Sequence, residues 1–92
     1  MSTMRRRVYY SGGVQGVGFR YTSRRLAQDY AVGGYVRNLP DGRVELVAEG
    51  DQAEVEAFLE AIRQRLGDHI RDIQVVVEPP DHPPLSEFTI RF

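Results

Sequence analysis

The 92-residue chain contains no cysteine and no lysine, and it has only two histidines. Without cysteine there is no disulfide framework, no thiol nucleophile and no cysteine zinc site. His69 and His82 have no ligand-like pattern around them, so no metal site is expected. No apolar run is long enough to span a membrane. Arg5, Arg6 and Arg7 lie near the start, but the segment after them is too short and too polar for a signal peptide. These absences lead to the expectation of a soluble, cytoplasmic protein. The length fits one domain over residues 1–92 with a single core.

The net charge of −1 hides an asymmetry. Residues 1–43 hold eight arginines against two acids, and residues 44–92 hold four arginines against eleven acids. An anionic ligand suits the first half. Alternatively, the halves interleave in space and neutralise each other.

Four glycines fall among the nine residues Gly12-Gly13-Val14-Gln15-Gly16-Val17-Gly18-Phe19-Arg20. Glycine admits backbone conformations that side chains forbid. A curled loop entering a helix turns successive N–H groups toward one point, beside the positive end of the helix. Arg20 adds a permanent charge and a planar fork of donors suited to a phosphoryl group. The loop lacks the Gly-Lys-Ser/Thr ending of a Walker A motif, and Gly16-Val17-Gly18 is only a fragment of a dinucleotide fingerprint. On glycine content alone, a plain tight turn is the simpler reading.

Around this loop the pattern predicts a strand over 5–12, with Val8 and Tyr10 on one side. A helix should run from 19 or 20 to about 30, its inner face formed by Phe19, Ser23, Leu26, Ala27 and Tyr30. Gly33-Gly34 is expected to end that unit. Strands over 35–39 and 43–49 flank Pro40-Asp41-Gly42 and should form an antiparallel hairpin. Asp51 is the expected N-cap of a second helix, with Glu54 at the capping-box position. Val55, Phe58, Leu59, Ile62 and Leu66 recur at helical spacing, and Gly67 should stop the helix. A β-branched strand over 70–78, a proline-rich connector and a short strand carrying Phe88, Ile90 and Phe92 complete the chain. That order is the ferredoxin-like βαββαβ pattern, an α+β sandwich. Two helices should cover one face of an antiparallel sheet, with one short C-terminal strand added.

Asn38 closes the second expected strand. In such a fold it can face the mouth of the loop, where its amide could hold a water in line with a phosphoryl group. A lone Asn before a turn is more often an Asx-turn residue. Arg37 and Arg43 read as solvated strand residues. Tyr9, Tyr10, Tyr21 and Tyr30 read as core or surface aromatics, and His69 and His82 as loop residues.

Together, Gly12-x-Val14-Gln15-Gly16-Val17-x-Phe19-Arg20 and Gly34-x-Val36-x-Asn38-Leu39-Pro40-Asp41-Gly42 closely resemble the acylphosphatases. The resemblance covers nearly the whole chain. It implies hydrolysis of the carboxyl–phosphate bond of acyl phosphates to carboxylate and inorganic phosphate, with no metal and no cofactor. It implies that the backbone amides of Gln15, Gly16, Val17, Gly18, Phe19 and Arg20, with the Arg20 guanidinium, grip the phosphoryl oxygens. Asn38 would orient the attacking water. Two positions depart from the pattern: Gly13 stands where many relatives carry a basic or larger residue, and Tyr35 where tryptophan is common. The expected partner is the small-molecule acyl phosphate alone, bound by a monomer that engages neither nucleic acid nor membrane. The alternative is a non-catalytic anion- or RNA-binding module, since the RNA recognition motif shares this element order.

Overall fold

The structure is a computed structural model, and it describes residues 2–81 and 83–92. The reading of His82 as a loop residue lies outside the described residues. The elements are β1 (Thr3–Gly12), α1 (Phe19–Ala27), β2 (Val32–Asn38), β3 (Val44–Asp51), α2 (Gln52–Leu66), β4 (Ile70–Glu78) and β5 (Phe88–Arg91). Among the described residues the strands form one sheet in the order β4-β1-β3-β2-β5. Pairing is antiparallel from β4 through β2, while β5 runs parallel to β2. The four strands of the ferredoxin-like pattern are antiparallel as expected, and the added C-terminal strand makes the sheet mixed.

Alternation along β1 and β3 sorts the side chains. Val8, Tyr10, Val44, Leu46 and Ala48 join one buried cluster. Phe19 and Ala27 of α1 enter it, as do Val55, Phe58, Ile62 and Leu66 of α2. Each such large apolar side chain contributes roughly 1.5–3 kcal/mol on burial. The apolar stripe of β4 is different. Ile73, Val75 and Val77 are 36%, 52% and 71% exposed, because β4 is an edge strand.

Three local expectations are corrected. Gly33 and Gly34 do not end a unit; both lie inside β2. A Cβ on Gly33 would meet Leu85 O at 2.1 Å, and one on Gly34 would meet Val47 O at 1.8 Å. These glycines permit backbones to cross closely. Next, α1 stops at Ala27 rather than near Tyr30, because the chain tightens into three-residue hydrogen bonds, Asp29 N–H to Leu26 O and Tyr30 N–H to Ala27 O. Finally, Asp51 occupies the N-cap of α2 without a side-chain capping bond. Glu54 instead accepts the Ala31 N–H at 2.7 Å and ties down the turn before β2. Gly67 follows α2 as expected but keeps a right-handed conformation and leads into a 3₁₀ turn, Gly67–His69, where His69 is exposed.

Candidate active site

Tyr10, Val44 and Asn38 form one row across three strands: Tyr10 pairs with Val44, and Val44 with Asn38. The second expected strand therefore does not neighbour the first, since β3 lies between them. The loop after β1 still reaches Asn38, since Val14, Gly16 and Gly18 line one cavity with it. Val14 and Phe19 anchor the loop in the core, and the four residues between them are exposed. Phe19 packs on Tyr10 with ring centroids 4.9 Å apart, and burial pushes the Tyr10 phenol pKa upward.

Gly16 and Gly18 both adopt φ 79°, in the left-handed region. A Cβ at either would meet nothing within 4 Å, so the demand for glycine is conformational rather than steric. Gly18 is also the N-cap of α1, which has no side-chain cap and no acid in its first turn. The first helical bond runs from Thr22 N–H to Gly18 O at 2.9 Å. Among the described residues, no protein acceptor takes the N–H groups of Phe19, Arg20 and Tyr21. These donors lie at the positive end of the helix dipole.

Beside them lies a cavity of about 210 Å³, lined by Val14, Gly16, Gly18, Phe19, Arg20, Tyr21 and Asn38. Sequence-predicted Gly16, Gly18, Phe19, Arg20 and Asn38 thus share one site. Val17 projects from the loop as an exposed side chain, and Gln15 turns away from the cavity toward the hairpin. The Gln15 Nε2 donates to Leu39 O at 2.8 Å and to Arg43 O at 2.9 Å. This role for its side chain escaped the sequence reading, which considered only its backbone. The turn it grips is held by Leu39 N–H to Arg43 O at 2.8 Å and by Asp41, which accepts the Arg43 N–H.

Arg20 forms no ion pair among the described residues. Its Cζ lies 4.8 Å from the centroid of the Phe92 ring. The other arginines of the first half are mostly engaged. On the sheet face away from the helices, Arg5 contacts Glu49 at 3.0 Å and Glu78 at 2.9 Å. Arg7 contacts Glu45 at 3.1 Å and Glu78 at 2.6 Å, and Arg37 contacts Glu45 at 2.6 Å. The charge halves therefore interleave across the sheet. Burial opposes ionisation of Glu45, yet Arg37 and Arg7 outweigh it and hold its pKa below the usual range. Arg7 and Arg5 do the same for Glu78. Glu49, fully buried, also accepts the backbone N–H of Asp81 and Leu85 and so fastens the proline-rich connector to the sheet.

Tyr35 lies beneath Arg91 at 3.6 Å and Tyr9 beneath Arg43 at 4.7 Å. No group of three or more His, Asp or Glu suited to a metal ion occurs among the described residues, and no described helix is long and apolar enough to cross a membrane.

The element order and strand arrangement define a ferredoxin-like α+β domain. A family model described as Acylphosphatase matches residues 6–90. An acylphosphatase of Haloarcula marismortui is 46% identical over 82 residues, covering 88% of this chain and 90% of that relative. An acylphosphatase of Archaeoglobus fulgidus is 52% identical over 56 residues; the match covers 61% of this chain and 63% of that relative, just under two thirds of its length. The crystal structure of acylphosphatase from Bacillus subtilis matches with a TM-score of 0.83 at 32% identity, covering 97% of this chain and 99% of that one. The chain belongs to the acylphosphatase family.

Proposed function

We propose that the protein hydrolyses acyl phosphates to a carboxylate and inorganic phosphate, with no metal or cofactor. The observation that carries this reading is the meeting of an unpaired Arg20, unclaimed backbone donors and Asn38 around one small cavity. The phosphoryl oxygens take hydrogen bonds from the backbone N–H groups of residues 15–20 and from the Arg20 guanidinium. Asn38 holds a water opposite the acyl oxygen. The water oxygen bonds to phosphorus as the phosphorus–acyl oxygen bond breaks, and the carboxylate leaves with the electron pair. A phosphoryl oxygen accepts the water's proton. Phosphoryl transfer runs through a loose transition state with charge on the equatorial oxygens, so positioning and fixed dipoles supply most of the catalysis. A carboxylate is a good leaving group, which removes the need for a strong general acid. In this reading the protein acts as a cytoplasmic monomer on small molecules and engages no nucleic acid.

The test is phosphate release from benzoyl phosphate by the purified protein in EDTA. Release at the same rate with and without the chelator is the expected result. A folded wild type that binds phosphate and releases none from the substrate would favour the anion-binding alternative.

A further inference from the structure

The exposed loop segment between Val14 and Phe19 carries two left-handed glycines, which set its curl but do not tie it to the rest of the site. Among the described residues, Gln15 makes its only side-chain hydrogen bonds to the protein. Its amide group has two N–H donors, and two carbonyls take them, Leu39 O at 2.8 Å and Arg43 O at 2.9 Å. Those carbonyls close the hairpin turn, since Leu39 O also accepts from Gly42 N–H at 3.1 Å and Arg43 O from Leu39 N–H at 2.8 Å. Leu39 directly follows Asn38. The staple therefore joins the anion-binding loop to the end of β2 that carries Asn38.

We infer that the Gln15 carboxamide is a positioning residue that holds the Asn38-bearing end of β2 in register with the anion-binding loop. Its contribution falls on the geometry between a bound phosphoryl group and the water, not on the grip itself. The loop anchors Val14 and Phe19 are buried in the core, so the backbone donors should persist without it. The inference rests on the proposed role of Asn38 as the residue that orients the water.

The test measures wild type, Gln15→Met, Asn38→Ala and the double variant with benzoyl phosphate, and titrates each with inorganic phosphate while ¹⁵N–¹H spectra are recorded. Gln15→Met should lower kcat roughly 10- to 100-fold, the scale of a small misplacement of reacting groups. It should change phosphate affinity by less than about three-fold, and in the Asn38→Ala background it should lower kcat by less than about three-fold, as coupled residues do. Equal losses in both backgrounds overturn the inference, as does a Gln15→Met kcat within about two-fold of wild type. If wild type hydrolyses nothing, the proposed function fails and the spectra decide this inference separately. Phosphate should then move the Asn38 side-chain NH₂ signals in wild type and not in Gln15→Met. Equal movement in both, or none in wild type, overturns it. Peak dispersion reports whether each variant is folded. Gln15→Glu supplies a second variant: it replaces both donors with acceptors facing two carbonyls and should lose at least as much kcat.

Discussion

Arg20 and Arg5 carry the same side chain into opposite surroundings. Arg5 crosses the sheet face between Glu49, Glu78 and Asp81, each within 3.0 Å. Arg20 has no carboxylate partner among the described residues and borders a cavity lined by glycines and Asn38. A guanidinium surrounded by carboxylates has its donors and charge already committed, so it fastens the fold. One set beside unclaimed backbone donors has its fork uncommitted, as the proposed grip on a phosphoryl group requires. A positive region in a sequence says little until the placement of the acids is known.

The largest effect is expected at Arg20. Arg20→Ala should lower kcat/KM by about 10³-fold or more, the scale of removing an arginine that stabilises a transferring phosphoryl group. Thermal unfolding should be nearly unchanged, since no ion pair is lost. A folded variant with near-normal turnover would remove Arg20 from the mechanism.

Arg5→Met should give the reverse pattern. It leaves the buried Glu49 carboxylate with two backbone N–H partners and no cation. Stability should fall by about 3–5 kcal/mol, the usual cost of breaking one side of a buried pair. The kcat of the folded fraction should stay within about two-fold of wild type, because distant sites act independently. Urea unfolding and turnover in the same preparation test both halves. An unchanged midpoint would mean that the network holds little of the stability.

Acid should weaken the carboxylate–arginine network without any mutation. Glu45 and Glu78 are held below their ordinary range by Arg37, Arg7 and Arg5. A carboxylate whose folded pKa is depressed adds stability above its unfolded pKa, and that stability is lost as pH falls through the folded value. Unfolding free energy should therefore be level above about pH 5 and decline as pH drops below about 4. Denaturation curves across that range check it; a level curve down to pH 3 would contradict the assignment.

What the sequence disclosed follows from the range of the forces involved. The elements and their order were legible because side-chain alternation and helical spacing are local. That Gly16, Gly18, Arg20 and Asn38 line one cavity agrees with the two motifs that singled them out. Gly33 and Gly34 were misread, because the backbones that demand them come from Leu85 and Val47, which are distant or on another strand. Glu54 was misread for a related reason: its carboxylate serves Ala31 across space rather than its own helix start. The side-chain role of Gln15 was hidden because both acceptors are backbone carbonyls on the far side of the hairpin turn, and carbonyls leave no mark in the residue code. The edge position of β4, which exposes Val75 and Val77, depends on strand order rather than on strand pattern.

The smallest effect concerns the one aromatic ring that Arg20 approaches among the described residues. The Phe92 ring, with its centroid 4.8 Å from the guanidinium carbon, offers its face to the cation while leaving N–H donors to other acceptors. An exposed cation–π contact contributes about 0.5–1 kcal/mol. In the proposed mechanism that small energy would narrow the orientations of the Arg20 side chain before the phosphoryl group binds. Phe92→Leu keeps apolar bulk and removes the ring, so KM should rise about two- to five-fold with kcat within about two-fold of wild type, the equivalent of that contact. Arg5, held by carboxylates on several sides, has no counterpart to this dependence. Steady-state kinetics of Phe92→Leu beside wild type distinguish the outcomes: a loss confined to kcat would mean that the ring acts in the transition state, and unchanged constants would mean that the loop and cavity walls orient Arg20 without it.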